Sequence, residues 1–303
     1  MKSYLKEFLE KFSYPEEARD ALLRAYDRIE AHAPGREAFQ GLLQSYEKDI
    51  HLKLRPILGQ MTDIAAGAGV QEYTGHLLLL ICMSRHLLAC YRKAGMDEEI
   101  WFTSMSDLKW KLMECWLVRG IWGTFVGEWF EGFFQMDRFG FAKLQFEPRT
   151  LDFRYEKDGL VLEPGTPMAI VHIPRTGGRL DRESMERSFD LAADFFRKWY
   201  HYDPVVFVCA SWLLYPDNLE VLSPDSNLYA FITTFDLVKS WESEDYYDAW
   251  RLFDKEYKGD VDELPQDTSL RRAYADWIRR GKKFGGATGV YVYDKKKMEE
   301  RAV

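Results

Sequence analysis

One imidazole, His172, interrupts the apolar run MAIVHIP (168–174), and the polar turn Arg175, Thr176, Gly177, Gly178, Arg179 follows it. An amphipathic helix pattern then runs from Asp181 to Tyr200. Two chemistries fit this strand, glycine turn and helix start. Backbone N–H groups and a helix N-terminus can hold an anionic ligand. A histidine titrates close to neutral pH, so His172 can take a proton from an amine or hydroxyl. A hydrogen-bonded core histidine is the plain alternative.

A second buried strand reads in PVVFVCASWLL (204–214), where Ser211 and Trp212 stand at the carboxyl end. Their hydroxyl and indole N–H suit orientation of a substrate; a strand-end hydrogen bond and a core ring are the plainer explanation. Cys209 lies in apolar surroundings and reads as an inert packed thiol, because a nucleophilic cysteine needs a stabilised thiolate. Ser226 and Asn227 fall in the first turn of a helix whose start is signalled by Ser223-Pro224-Asp225, and either capping or ligand binding accounts for them. Trp122, Phe125, Trp129 and Phe133 recur at intervals of three and four, with Gly123, Gly127 and Gly132 between them. That pattern predicts a tightly packed helix or one aromatic wall of a cleft, with Trp122 and Trp129 as substrate contacts. Arg271 and Arg272 tie a late helix to acidic groups or bind an anionic substrate. Arg279, Arg280, Lys282 and Lys283 form a further basic group.

The elements that must position these residues divide into two kinds. Up to about residue 138 the apolar residues recur at helical spacing: Leu5, Phe8, Leu9 and Phe12; then Ala18, Leu22, Ala25 and Ile29; then Phe39, Leu42 and Tyr46. A helix over Tyr73–Arg92 is apolar nearly all round. Another starts at the cap Asp97, with Glu98 and Glu99 in its first turn. Near residue 139 the period becomes two, in FAKLQFE and LDFRYE. Asp158-Gly159 marks a hairpin turn. Strand, helix 181–200 and strand then favour a parallel pair with a right-handed crossover. Residues 244–256 and 267–280 read as helices, DLVKSW as a possible strand and GVYVY as a last one. The expected fold class is α+β, with a helical domain over 1–138 packed on a mixed sheet domain over 139–303. In such sheets ligands gather at the carboxyl ends of parallel strands.

The totals limit the function. The 303 residues are 47% hydrophobic and 16% aromatic, with 10 Trp, enough for packed cores. A net charge of −8 without a long basic stripe argues against nucleic acid. Cys82, Cys90, Cys115 and Cys209 form no C-x-x-C pair, so no metal site is expected. The longest apolar run, Leu77–Met83, falls short of the ~20 residues that cross a bilayer, and the start MKSYLKEFLEKF lacks a signal-peptide core. A cytoplasmic protein is expected, without a membrane partner; its oligomeric state is open.

From about residue 139 onward the order of elements resembles the GNAT-type N-acyltransferases. The whole chain resembles a bacterial two-domain acyltransferase-like family, through HIP (172–174), CASWLLYP (209–216), LSPDSN (222–227), ELPQDTSLRRA (263–273) and the tail 281–289. The resemblance implies an acyl-CoA-dependent N-acyltransferase that uses acetyl-CoA or another acyl-CoA and acts on a small-molecule or peptide amine. Arg175, Thr176, Gly177, Gly178 and Arg179 then hold the coenzyme A pyrophosphate, with Leu180 standing where the family has a small residue. His172 deprotonates the acceptor, and Tyr229, in the following helix, protonates the leaving thiolate. The segment 122–134 closes the cleft. The other reading is a non-catalytic GNAT-like module that binds a small polar ligand in the interdomain cleft.

Overall fold

The computed structural model describes residues 1–177, 180–243, 245–246 and 249–294. The chain divides into two compact units, Met1–Phe139 and Gly140–Val303. In the first unit the helical spacing folds into α1 (Lys2–Lys11), α2 (Glu16–Ala31), α3 (Ala33–Lys48), α4 (Leu54–Gly67), α5 (Glu72–Ala94) and α6 (Glu98–Arg119). The centre of α5 is apolar on every side, so it is buried on every side: Leu77 through Met83 are all fully covered. By length and composition α5 could cross a membrane, and 67% of that stretch is buried inside the fold. The Asp97 carboxylate caps α6 by accepting the Glu99 N–H at 2.9 Å, and Gly120 ends it with φ +68°.

The segment 120–126 is not the helix that its aromatic spacing predicts. Helical structure resumes only as a 3-10 turn at Gly127–Phe130 and as α7 (Glu131–Phe134). The backbone of 122–124 bonds instead to the first turn of α5. The Thr124 N–H donates to the Tyr73 carbonyl at 3.0 Å, and the Thr74 hydroxyl donates to the Trp122 carbonyl at 2.9 Å. Gly123 permits this approach, since a Cβ there would lie 2.3 Å from the Tyr73 carbonyl carbon.

The second unit is built on a six-stranded sheet in the order β1-β2-β5-β6-β8-β7. Its strands are β1 (Phe139–Phe141), β2 (Leu144–Thr150), β5 (Pro167–His172), β6 (Val206–Ser211), β7 (Asp236–Glu242) and β8 (Gly285–Val292); β3 (Tyr155–Lys157) and β4 (Leu160–Leu162) form a separate hairpin. Its turn has Asp158 at φ +50° and Gly159 at φ +82°, the conformation that an Asp-Gly pair favours. α8 (Arg182–Tyr200) joins β5 to β6, which pair in parallel; the other ladders of known register are antiparallel.

Each face of this sheet has its own cover. Phe189 of α8 meets Phe146, Phe207 and Tyr291 on one face. Tyr155 and Leu162 of the hairpin pack with Met168, Val206, Val208 and Val290 on the other. The remaining helices are α9 (Asn218–Val221), α10 (Asn227–Ile232), α11 (Ala249–Phe253) and α12 (Ser269–Arg279). Two of these differ from expectation. Ser223 to Ser226 close a turn first, and α10 starts one turn later because the Ser226 hydroxyl caps it. The helix expected over 244–256 is the five-residue α11; Glu244, Tyr247 and Asp248 lie outside the described residues.

Candidate functional site

The sheet opens where β5 and β6 run side by side. Their parallel register pairs Ala169 with Phe207 and Ile170 with Val208. The flanking ladders run further: β2 stays paired with β5 to His172, and β8 stays paired with β6 to Ser211. The two parallel strands therefore part beyond Ile170 and Val208 while each keeps its outer neighbour. Main-chain groups of 171–172 and 209–211 border that gap.

His172 is the last residue of β5 and stands opposite Gln145 of β2, with Glu147 opposite Ile170. Opposed residues share a face, and a residue two along lies on the diagonal. Gln145, Glu147 and His172 therefore share the face that carries the hairpin, since Phe146 between them points to α8. The His172 Nε2 lies 3.1 Å from Oε2 of Glu147, whose side chain is only 8% exposed against 22% for His172. The other Glu147 oxygen pairs with the Arg149 guanidinium. An ionised carboxylate only accepts, so Nε2 is the hydrogen-bearing nitrogen of this contact when Glu147 is ionised. Ala210 of β6, opposite Thr288 of β8, is exposed. Cys209 points the other way. Burial pushes its thiol up to about 12, which leaves no thiolate at neutral pH.

The loop after β5 is held by charge. The Arg175 guanidinium pairs with both oxygens of Asp254, and Arg271 reaches the same carboxylate. Arg271 also donates to Asp267 at 2.8 Å and to the Leu252 carbonyl at 3.0 Å. Thr176 is half-buried, and the Gly177 carbonyl accepts from the Lys143 ammonium. Gly178 and Arg179 lie outside the described residues. Asp181 caps α8, accepting the Ser184 N–H at 2.9 Å; its hydrogen bonds to Ser184 hold it below the usual carboxylate range. A carboxylate thus already sits at the N-terminus of α8.

The other candidates have identified neighbours. The Ser211 hydroxyl accepts the Leu213 N–H at 3.2 Å. Trp212 starts the next turn and lines a small cavity with Ser243, Asp245, Tyr246, Leu252 and Phe284. α10 packs against α8 and the turn 212–214. There Ser226 is used as the cap, while Asn227 and Tyr229 are half-buried. In the first unit Trp122 stacks on Trp116 at 3.9 Å. The Trp129 Nε1 donates to Asp107 at 3.0 Å, and its ring lies 3.9 Å from the Arg138 guanidinium. Of the basic tail group, Arg279 pairs with Asp262 and Asp276, and Lys282 with Glu220. Among the described residues no group of three or more His, Cys, Asp or Glu could hold a metal ion.

Gln145, Glu147, Arg149 and Asp254 were not singled out from sequence. The alternation in LQFEPRT puts the first three on one face, but only the β2–β5 register brings them to His172. Asp254 carries no local signal.

A family model described as GNAT-like C-terminal domain matches residues 138–291, and one described as N-acyltransferase N-terminal domain matches residues 3–136. Among curated proteins, none matches the chain. Solved structures do. One is an acyltransferase in complex with decanoyl-CoA and teicoplanin, at 22% identity and TM-score 0.75. Another is an acyltransferase with decanoyl-CoA, at 20% identity and TM-score 0.72. A third is an acyltransferase mutant with octanoyl-CoA, at 21% identity and TM-score 0.74. Each likeness covers 95% of this chain and 87% of the other, and shows a shared fold.

Proposed function

The chain belongs to the two-domain acyltransferase-like family with an N-acyltransferase N-terminal domain and a GNAT-like C-terminal domain, and from that premise we propose that it transfers an acyl group from an acyl-CoA to an amine on a small molecule or peptide. The observation that carries this reading is the parting of β5 and β6 beside the His172–Glu147 pair. Main-chain groups at the gap suit the amide-bearing arm of a coenzyme A, and a base stands at its edge. The acyl-CoA complexes of the structural neighbours support the choice of donor.

In this reading His172 takes the proton of the acceptor amine, and Glu147 holds its ring in the tautomer that leaves Nδ1 basic. Arg175, Thr176, Gly177, Gly178 and Arg179 hold the pyrophosphate. Asp254 balances Arg175 until a phosphate shares the guanidinium. Tyr229 returns a proton to the departing thiolate. Ser211, Trp212, Ser226 and Asn227 flank the acceptor.

Thermal melting with acetyl-, octanoyl- and decanoyl-CoA tests the donor. A donor at a hundredfold excess over its Kd stabilises the native state by about 2.7 kcal/mol. Absence of any shift at millimolar concentration overturns the reading in favour of a non-catalytic module. If a shift appears, His172→Ala is expected to keep it and to lower transfer by ~10²-fold or more.

A further inference from the structure

We infer that Gln145 accepts a hydrogen bond from the nucleophile and makes this site select an amine over a hydroxyl; the inference rests on the acyl-transfer reading above. The side chain is 3% exposed, and its Oε1 is buried without a hydrogen-bond partner. Buried carbonyls are nearly always paired, so such an atom calls for a reason. Its position supplies one. Gln145 stands directly opposite His172 across the β2–β5 ladder, on the same face of the sheet. Glu147, the next residue on that face, is engaged by His172 and Arg149. Gln145 therefore sets its carboxamide on the same face as, and across the ladder from, the residue proposed as the base.

The chemistry of the attack needs such an atom. A neutral primary amine carries two N–H groups and one lone pair. As the C–N bond forms at the thioester carbonyl, one proton passes to His172 and the C–S electron pair leaves with sulfur. The thiolate then recovers a proton, so the products are an amide and a thiol. The second N–H stays on nitrogen and needs an acceptor that does not itself take a proton. A carboxamide oxygen meets that need, whereas a carboxylate would compete with His172. A hydroxyl nucleophile has one hydrogen, which goes to the base, and Gln145 stays unpaired. A site that pairs a buried polar group with one substrate rejects the analogue that leaves it unpaired.

The test uses Gln145→Met, which keeps the volume and removes the carbonyl. Octanoyl-CoA is the donor, benzylamine and benzyl alcohol are the matched acceptors, and thiol release is the readout. The wild type is expected to favour the amine. In the variant, kcat/KM for the amine should fall about tenfold or more while that for the alcohol holds within about twofold. The melting temperature without ligand should be unchanged or higher, because an unpaired buried group has been removed. Equal losses on both acceptors, a lower ligand-free melting temperature, or no amine turnover by the wild type would each overturn the inference. If octanoyl-CoA still stabilises the wild type in those cases, the donor reading survives. If no acyl-CoA does, that reading fails as well.

Discussion

A histidine at a strand end becomes a useful base only when something fixes which nitrogen carries the hydrogen. In the proposed mechanism Glu147, which also pairs with Arg149, does that for His172. Replacing Glu147 with Gln retains an acceptor for His172 but removes the charge that, in the proposed mechanism, supports its imidazolium. The expected result is a transfer rate lower by ~10-fold to 10²-fold, with acyl-CoA stabilisation intact. Steady-state kinetics beside a melting curve separates the two, and an unchanged rate would remove Glu147 from its role. Sequence alone reaches only half of this pair. His172 stands out because a polar ring interrupts an apolar strand. Glu147 is 25 positions away, and its adjacency exists only in a register that pairs Glu147 with Ile170. Arg175 shows the complementary limit: its place in the turn is legible, but its partner Asp254 comes from a distant segment.

At the scale of elements, three end signals held, while the one at Ser223-Pro224-Asp225 did not, since α10 starts at Asn227. α6 and α8 start where Asp97 and Asp181 cap them, and the hairpin turns at Asp158-Gly159. Periodicity misled at 122–134, where two of the four rings spaced for a helix, Trp122 and Phe125, lie on a chain that bonds to α5 instead. The glycines distinguish the two situations and give a paired prediction. Gly123→Ala drives a methyl group into the Tyr73 backbone and is expected to destabilise the first unit by about 1–3 kcal/mol. Gly41, inside α3, has nothing within 4 Å of an added Cβ, so Gly41→Ala is expected to stabilise it by about 0.5–1 kcal/mol. Urea unfolding at constant slope measures both. A neutral Gly123→Ala would mean that the 120–126 segment moves away from α5 at little cost.

At the scale of the whole molecule, the two units carry different sensitivities. In the first, His76 joins α5 to α4: its Nε2 lies 3.0 Å from the Leu58 carbonyl and 2.9 Å from the Thr62 hydroxyl. Burial lowers its pKa below the ordinary 6.5, against the weaker opposing pull of Glu72. As pH falls, the unfolded chain therefore takes up this proton before the folded one does. The stabilisation is whole above about 6.5 and drains away as pH drops toward the lowered folded value. The donor site proposed above belongs to the second unit. A chain of two cores need not melt in one step, so calorimetry at pH 7.5 and 5.5, with and without octanoyl-CoA, is expected to show two responses. Acid should lower the transition of the first unit, and less so in His76→Gln. The acyl-CoA should raise the transition of the second. A single transition moved by both agents would instead mean that the units unfold as one cooperative body, and the buried imidazole of the helical unit would then modulate the stability of the acyl-transfer site.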